Sequence, residues 1–120
     1  MTNDILGDSL YHVHLGDTIP HMATLPDACF DFCMYSPPFP SVYSYSSLPN
    51  DLGNSEDLKG EAKLHFSFFF KAIRRLIKPG RAMVVHCTQI VRMKRSGGEG
   101  LFDFRGMLIR LAERAGFIYE

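Results

Sequence analysis

Ser36-Pro37-Pro38-Phe39 follows the apolar run ACFDFCM and leads into a stretch that carries Tyr43 and Tyr45. Proline donates no ladder hydrogen bond, so the adjacent pair stops a buried strand. Its fixed φ also holds a carbonyl in one direction with no competing N–H beside it. A hydroxyl, an immobilised carbonyl and an aromatic ring in consecutive positions can accept hydrogen bonds and stack on a planar group. The plainer alternative is a rigid turn that only ends the strand. Gly16-Asp17, after the short run YHVHL, places a carboxylate at another strand end, as a ligand contact or as an ordinary turn. Of the histidines and cysteines, only His12-x-His14 has close ligand spacing, so no metal site is expected. Cys29 and Cys33 fall on one face of a strand and read as core.

The elements that must position these residues follow from periodicity. Tyr11 to Leu15 reads as a strand, and a weak helix around Met22, Ala23 and Leu25 is kept short by Pro20 and Pro26. Cys29 to Tyr35 is apolar on nearly every residue except Asp31, the pattern of a strand covered on both faces. The Ser-, Tyr- and Pro-rich segment to about Gly60 reads as a long functional loop. Phe66, Phe69, Phe70, Ile73, Leu76 and Ile77 then recur at offsets of three and four, a helix over 62–77 that Pro79-Gly80 stops. Lys71 to Arg75 read as its solvated face. Ala82 to Cys87 is a third buried strand, and Ile90 to Gly100 a basic, glycine-rich loop in which Lys94 and Arg95 face solvent or a nucleic-acid backbone. Asp103 caps a second helix over 103–115, which Gly116 ends, and Phe117 to Tyr119 begins a fourth strand.

Strands alternating with helices predict a parallel sheet with crossover helices, the strands near 11–15, 30–35 and 82–87 being neighbours. Ligands bind beyond the carboxyl ends of such strands. Gly16-Asp17, Ser36-Pro37-Pro38-Phe39 and His86-Cys87-Thr88 would then share one edge.

Composition limits the function. The chain has 120 residues, 46% hydrophobic and 22% charged, which fits one globular domain or part of one. Thirteen basic and thirteen acidic residues cancel, so no global field favours nucleic acid, and binding to it needs a local surface. No membrane span or export signal is present, and three cysteines fit no disulfide framework. A soluble, cytoplasmic protein with reduced thiols is expected.

The succession HVHLGD, LPDACFDF, SPPF at a strand end, an amphipathic helix closed by KPG, the strand VVHC, and a helix closed by GF resembles the amino-group DNA methyltransferases over most of the chain. The resemblance implies an α/β fold, a partial Rossmann-like methyltransferase sheet of mostly parallel strands. It implies S-adenosylmethionine as methyl donor, with Gly16 and Asp17 at its adenine, and double-stranded DNA as partner with the target base flipped out. Ser36, Pro37, Pro38 and Phe39 are then catalytic. Ser36 and the Pro37 carbonyl accept from the exocyclic amino group, Phe39 stacks on the base, and Tyr43, Tyr45, Lys94 and Arg95 meet DNA. Serine in the first motif position favours cytosine N4 over adenine N6. The aromatic-x-Gly-x-Gly cofactor loop of that family is missing, since Gly97-Gly98-Glu99-Gly100 lacks the aromatic. Residues 1–120 are therefore expected to be the N-terminal, catalytic half of a permuted methyltransferase, truncated at the C-terminus and inactive alone. The competing expectation is a non-catalytic, methyltransferase-like nucleic-acid-binding remnant.

Overall fold

The computed structural model describes residues 3–6, 11–38, 60–92 and 98–120. Its centre is helix α2 (Glu61–Leu76), whose Phe66, Phe70, Ile73 and Leu76 are buried while Lys71 and Arg74 face solvent. Two apolar clusters form along it. One joins Phe66 and Phe70 to Ile90 and to Phe104, Met107, Leu108 and Leu111 of α3 (Phe104–Arg114). The other joins Ile73, Leu76 and Ile77 to Met22, the last residue of the five-residue helix α1 (Thr18–Met22). Asp103 caps α3 as expected, its carboxylate accepting from the Gly106 N–H at 3.0 Å, and Gly116 ends it at φ +107°.

The strands are β1 (Asn3–Leu6), β2 (His12–Leu15), β3 (Cys33–Tyr35), β4 (Met83–Val85), β5 (Ile90–Val91) and β6 (Leu101–Phe102). Among the described residues they form three two-stranded sheets, β1 with β2, β3 with β4 and β5 with β6. β3 and β4 are parallel neighbours, Cys33 opposite Met83 and Tyr35 opposite Val85, with α2 in the connection between them.

Five expectations are corrected. β2 pairs antiparallel with β1, Asn3 opposite Leu15, instead of joining β3 in one mostly parallel sheet. A partner a few residues away closes a smaller loop than one beyond α1, so local pairing costs less entropy. The strand expected from Cys29 is regular only from Cys33. Before it, Phe30 bridges to Ile77 and Lys78 N–H donates to the Phe30 carbonyl at 2.9 Å, with Lys78 Nζ 2.9 Å from Asp31. The end of α2 thus draws this segment to itself. Nor are both faces covered: Cys33 and Tyr35 are half-buried, whereas Phe32, Met34 and Val84 are exposed. Finally, the ends of the expected 90–100 loop pair as a hairpin, Ile90 opposite Phe102, and residues 117–120 form no strand. The buried Ile90 anchors the former, while the latter has no strand partner among the described residues. No helix among those residues is long and apolar enough to cross a membrane.

Candidate active site at the ends of two parallel strands

The β3–β4 ladder ends at one peptide. His86 N–H donates to the Tyr35 carbonyl at 2.9 Å, and the His86 carbonyl accepts from the Ser36 hydroxyl at 3.0 Å. The next residue, Pro37, has no N–H, so the ladder cannot continue through the backbone. The Ser36 side chain makes the bond that the proline cannot. Pro37 is fully buried and Pro38 half-buried, which fixes the turn, while Ser36 stays exposed at the strand end.

This geometry assigns the serine proton. A hydroxyl has one proton and two lone pairs. With the proton donated to the His86 carbonyl, the oxygen presents its remaining lone pairs as an acceptor. The Ser36 oxygen at this strand end therefore suits a ligand group that donates an N–H or O–H.

The shell behind this edge is apolar. Tyr35 packs on Phe69 with ring centroids 4.7 Å apart, and its buried hydroxyl has no hydrogen-bond partner among the described residues. Burial pushes the Tyr35 phenol well above its ordinary range, and pushes the Cys33 and Cys87 thiols up as well. These groups stay neutral and unreactive near pH 7.

Beyond His86, Gln89 ties the strand end to α3. Its amide donates to Asp103 Oδ1 at 2.7 Å and its oxygen accepts from the Arg105 N–H at 3.0 Å. The Gln89 hydrogen bond foremost, then the Gly106 N–H and the nearby Arg110, hold the Asp103 carboxyl below the usual carboxylate range. Sequence reasoning missed Gln89, since nothing in its type or spacing announces a link to a residue fourteen positions on.

Gly16 and Asp17 are exposed at the end of β2. Asp17 occupies the N-cap position of α1 without a side-chain capping bond, and its carbonyl accepts from His21 N–H at 3.2 Å. The rings of His14 and His21 stack beside it, centroids 3.4 Å apart, and a Cβ at Gly16 would lie 3.1 Å from the His14 ring. Because β2 pairs with β1, no strand ladder links Gly16 and Asp17 to Ser36 among the described residues. Phe39, Tyr43, Tyr45, Lys94 and Arg95 lie outside the described residues. Among the described residues no cluster of three or more His, Cys, Asp or Glu has the arrangement of a metal site.

No family model and no curated protein matches this sequence. A solved structure does: the crystal structure of a provisionally assigned DNA modification methylase from Thermus thermophilus superposes with a TM-score of 0.66 at 20% identity. The match covers 87% of this chain and 39% of that one, so this chain spans about two fifths of the neighbour's length. At this identity what the two share is the fold, and over most of its length this chain has the fold of part of that methylase.

Proposed function

We propose that the chain carries the catalytic strand end of a DNA methyltransferase acting on an exocyclic amino group. The observation that carries this reading is the Ser36–His86 hydrogen bond, which leaves the serine oxygen as an acceptor. An amino group on cytosine or adenine is a poor nucleophile because its lone pair is delocalised into the ring. Ser36 Oγ and the Pro37 carbonyl, each accepting one N–H, favour a pyramidal nitrogen with its lone pair free to attack, and these bonds strengthen as the nitrogen becomes positive. As the nitrogen bonds to the methyl carbon, the carbon–sulfonium bond of the donor would break and its sulfur leave as a neutral thioether, while the nitrogen sheds one N–H proton to solvent at the exposed Ser36 face. Phe39 stacks on the flipped base, with Tyr43, Tyr45, Lys94 and Arg95 toward DNA.

S-adenosylmethionine would supply the electrophilic methyl group. The described residues fit one end of it: the exposed Asp17 carboxylate, beside a glycine, suits contacts to the hydroxyl and amino groups of its adenosine. Residues 1–120 then form the catalytic half of a methyltransferase domain, and serine in the first motif position favours cytosine N4. The second reading is a methyltransferase-like remnant that binds nucleic acid without turnover.

The test is transfer of labelled methyl from S-adenosylmethionine to DNA by the protein as its gene encodes it, with mass spectrometry of the digested bases. Ser36→Ala is expected to lower the rate about 100-fold or more, the scale of losing one aligned group at the reacting atom. Ser36→Asn, which keeps a donor for the His86 carbonyl and an acceptor for the substrate, should recover part of it. An active wild type with an equally active Ser36→Ala would reject the site. A wild type that modifies no base would leave the remnant.

A further inference from the structure

A groove of about 290 Å³ opens between α2, the β5–β6 hairpin and α3. Phe102, Met107 and Leu111 line its apolar surface. Four cations surround it, Lys63 from α2, Arg92 from the hairpin, and Arg110 and Arg114 from α3, against one carboxylate, Asp103. In a chain whose charges sum to zero, this is a concentrated local excess.

Folding does not account for it. Arg110 and Arg114 stand one turn apart on one helix, where like charges are mildly destabilising. Asp103 is already held by Gln89 and the Gly106 N–H and reaches Arg110 only at 3.9 Å, a separation worth little at an exposed pair. No carboxylate among the described side chains forms an ion pair with Lys63, Arg92 or Arg114. Arg92 instead lies over the Phe102 ring, 5.8 Å from its centroid, which restrains its guanidinium at the groove.

We propose that this groove binds backbone phosphates of the DNA substrate, which makes it a second contact surface alongside the Ser36 edge. The proposal rests on the methyltransferase reading. Cations spread over three elements suit a chain of anions better than one phosphate, which a single cradle of donors would hold. The position suits the role too. Gln89, three residues beyond His86, donates to the Asp103 that lines the groove, which ties the groove to the segment leaving β4. Phosphate contacts set the register of a duplex without reading sequence.

The test is fluorescence anisotropy of a short labelled duplex with the full chain. Arg110→Gln/Arg114→Gln should weaken binding about tenfold at low salt, and the plot of log affinity against log salt should become shallower by about 1 to 2, near 0.9 per phosphate contact. Lys71→Gln/Arg81→Gln removes the same charge outside the groove and should stay within about twofold of wild type. Arg92→Gln, on a different element, should act in the same direction as the α3 pair and guards against a helix-specific folding defect. Equal binding by wild type and the α3 pair overturns the proposal. So does a wild type that ignores duplex but binds phosphatidylserine vesicles or inorganic phosphate through these arginines. A protein that methylates DNA with unaffected groove variants sinks the groove alone, whereas the groove signature without methyl transfer sinks the enzymatic reading alone.

Discussion

Arg75 offers the sharpest test of how the site's framework is held. Its guanidinium donates to the Met22 carbonyl at 2.6 Å, to the Leu25 carbonyl at 2.8 Å and to Asp27 Oδ1 at 2.7 Å, clamping the turn after α1 onto α2. Ala28 N–H closes the same turn by donating to the Arg75 carbonyl at 3.0 Å. A hydrogen bond to a charged donor contributes about 1.5–3 kcal/mol. The Asp27 bond is exposed and worth less than about 1 kcal/mol. The two carbonyl bonds are part-buried and the Arg75 side chain is 34% exposed, so half of the full value is reasonable for each. Arg75→Gln should therefore cost about 2–3 kcal/mol, and Arg75→Lys, which cannot span three acceptors with one ammonium, about 1–2 kcal/mol. For a domain of this size that lowers Tm by roughly 4–12 °C across the two variants. Urea and thermal melts followed by circular dichroism measure it. The losses should persist at high salt, because part-buried hydrogen bonds are screened less than surface pairs. If Arg75→Lys were as stable as wild type, or if the loss vanished at high salt, the clamp would be no more than a surface ion pair.

Two further outcomes follow from local geometry. Ala28 has φ +51°, a left-handed conformation that costs an L-residue about 1–2 kcal/mol, partly offset by the extra chain entropy glycine carries when unfolded; Ala28→Gly should raise stability by about 0.5–1 kcal/mol in the same melts. Asp103 and Asp31 both have carboxyls held below their ordinary range, by Gln89 and by Lys78 foremost, so their contribution is present above the unfolded carboxylate pKa and is lost as pH falls through the lower folded value. Urea midpoints measured from pH 5 downward should fall less steeply for Asp103→Asn than for wild type, and equal slopes would show that the capping carboxylate carries no linkage.

The helices were legible because burial on one side of a helix leaves a period in the sequence. Phe66, Phe70 and Ile73 mark α2, and Asp103 with Gly116 marks both ends of α3. The SPPF turn was legible for a similar local reason, since proline forbids the next ladder bond. Pairing was not. The apolar run at Phe32 and Met34 records hydrophobicity without saying what covers it, and Asn3–Leu6 is too short and polar to announce itself as the partner of β2. Arg75 read as one more cation on a solvated face, because its acceptors lie about fifty positions away in sequence. The Ser36–His86 bond spans the same separation, so the residue type suggested an acceptor while only the fold shows where the proton goes.

The peptide at His86 has a consequence for what can vary here. Both groups that shape the Ser36 turn belong to the main chain, the N–H that meets Tyr35 and the carbonyl that receives the serine proton. The imidazole takes no part in either bond, so the Ser36 turn constrains position 86 through its backbone and not through its side chain. Any residue with an N–H supplies the same two groups, and proline alone would remove one. A cluster of chemistry-bearing letters such as VVHC can thus draw the eye to a side chain when the working part is the one component all residues but proline have in common.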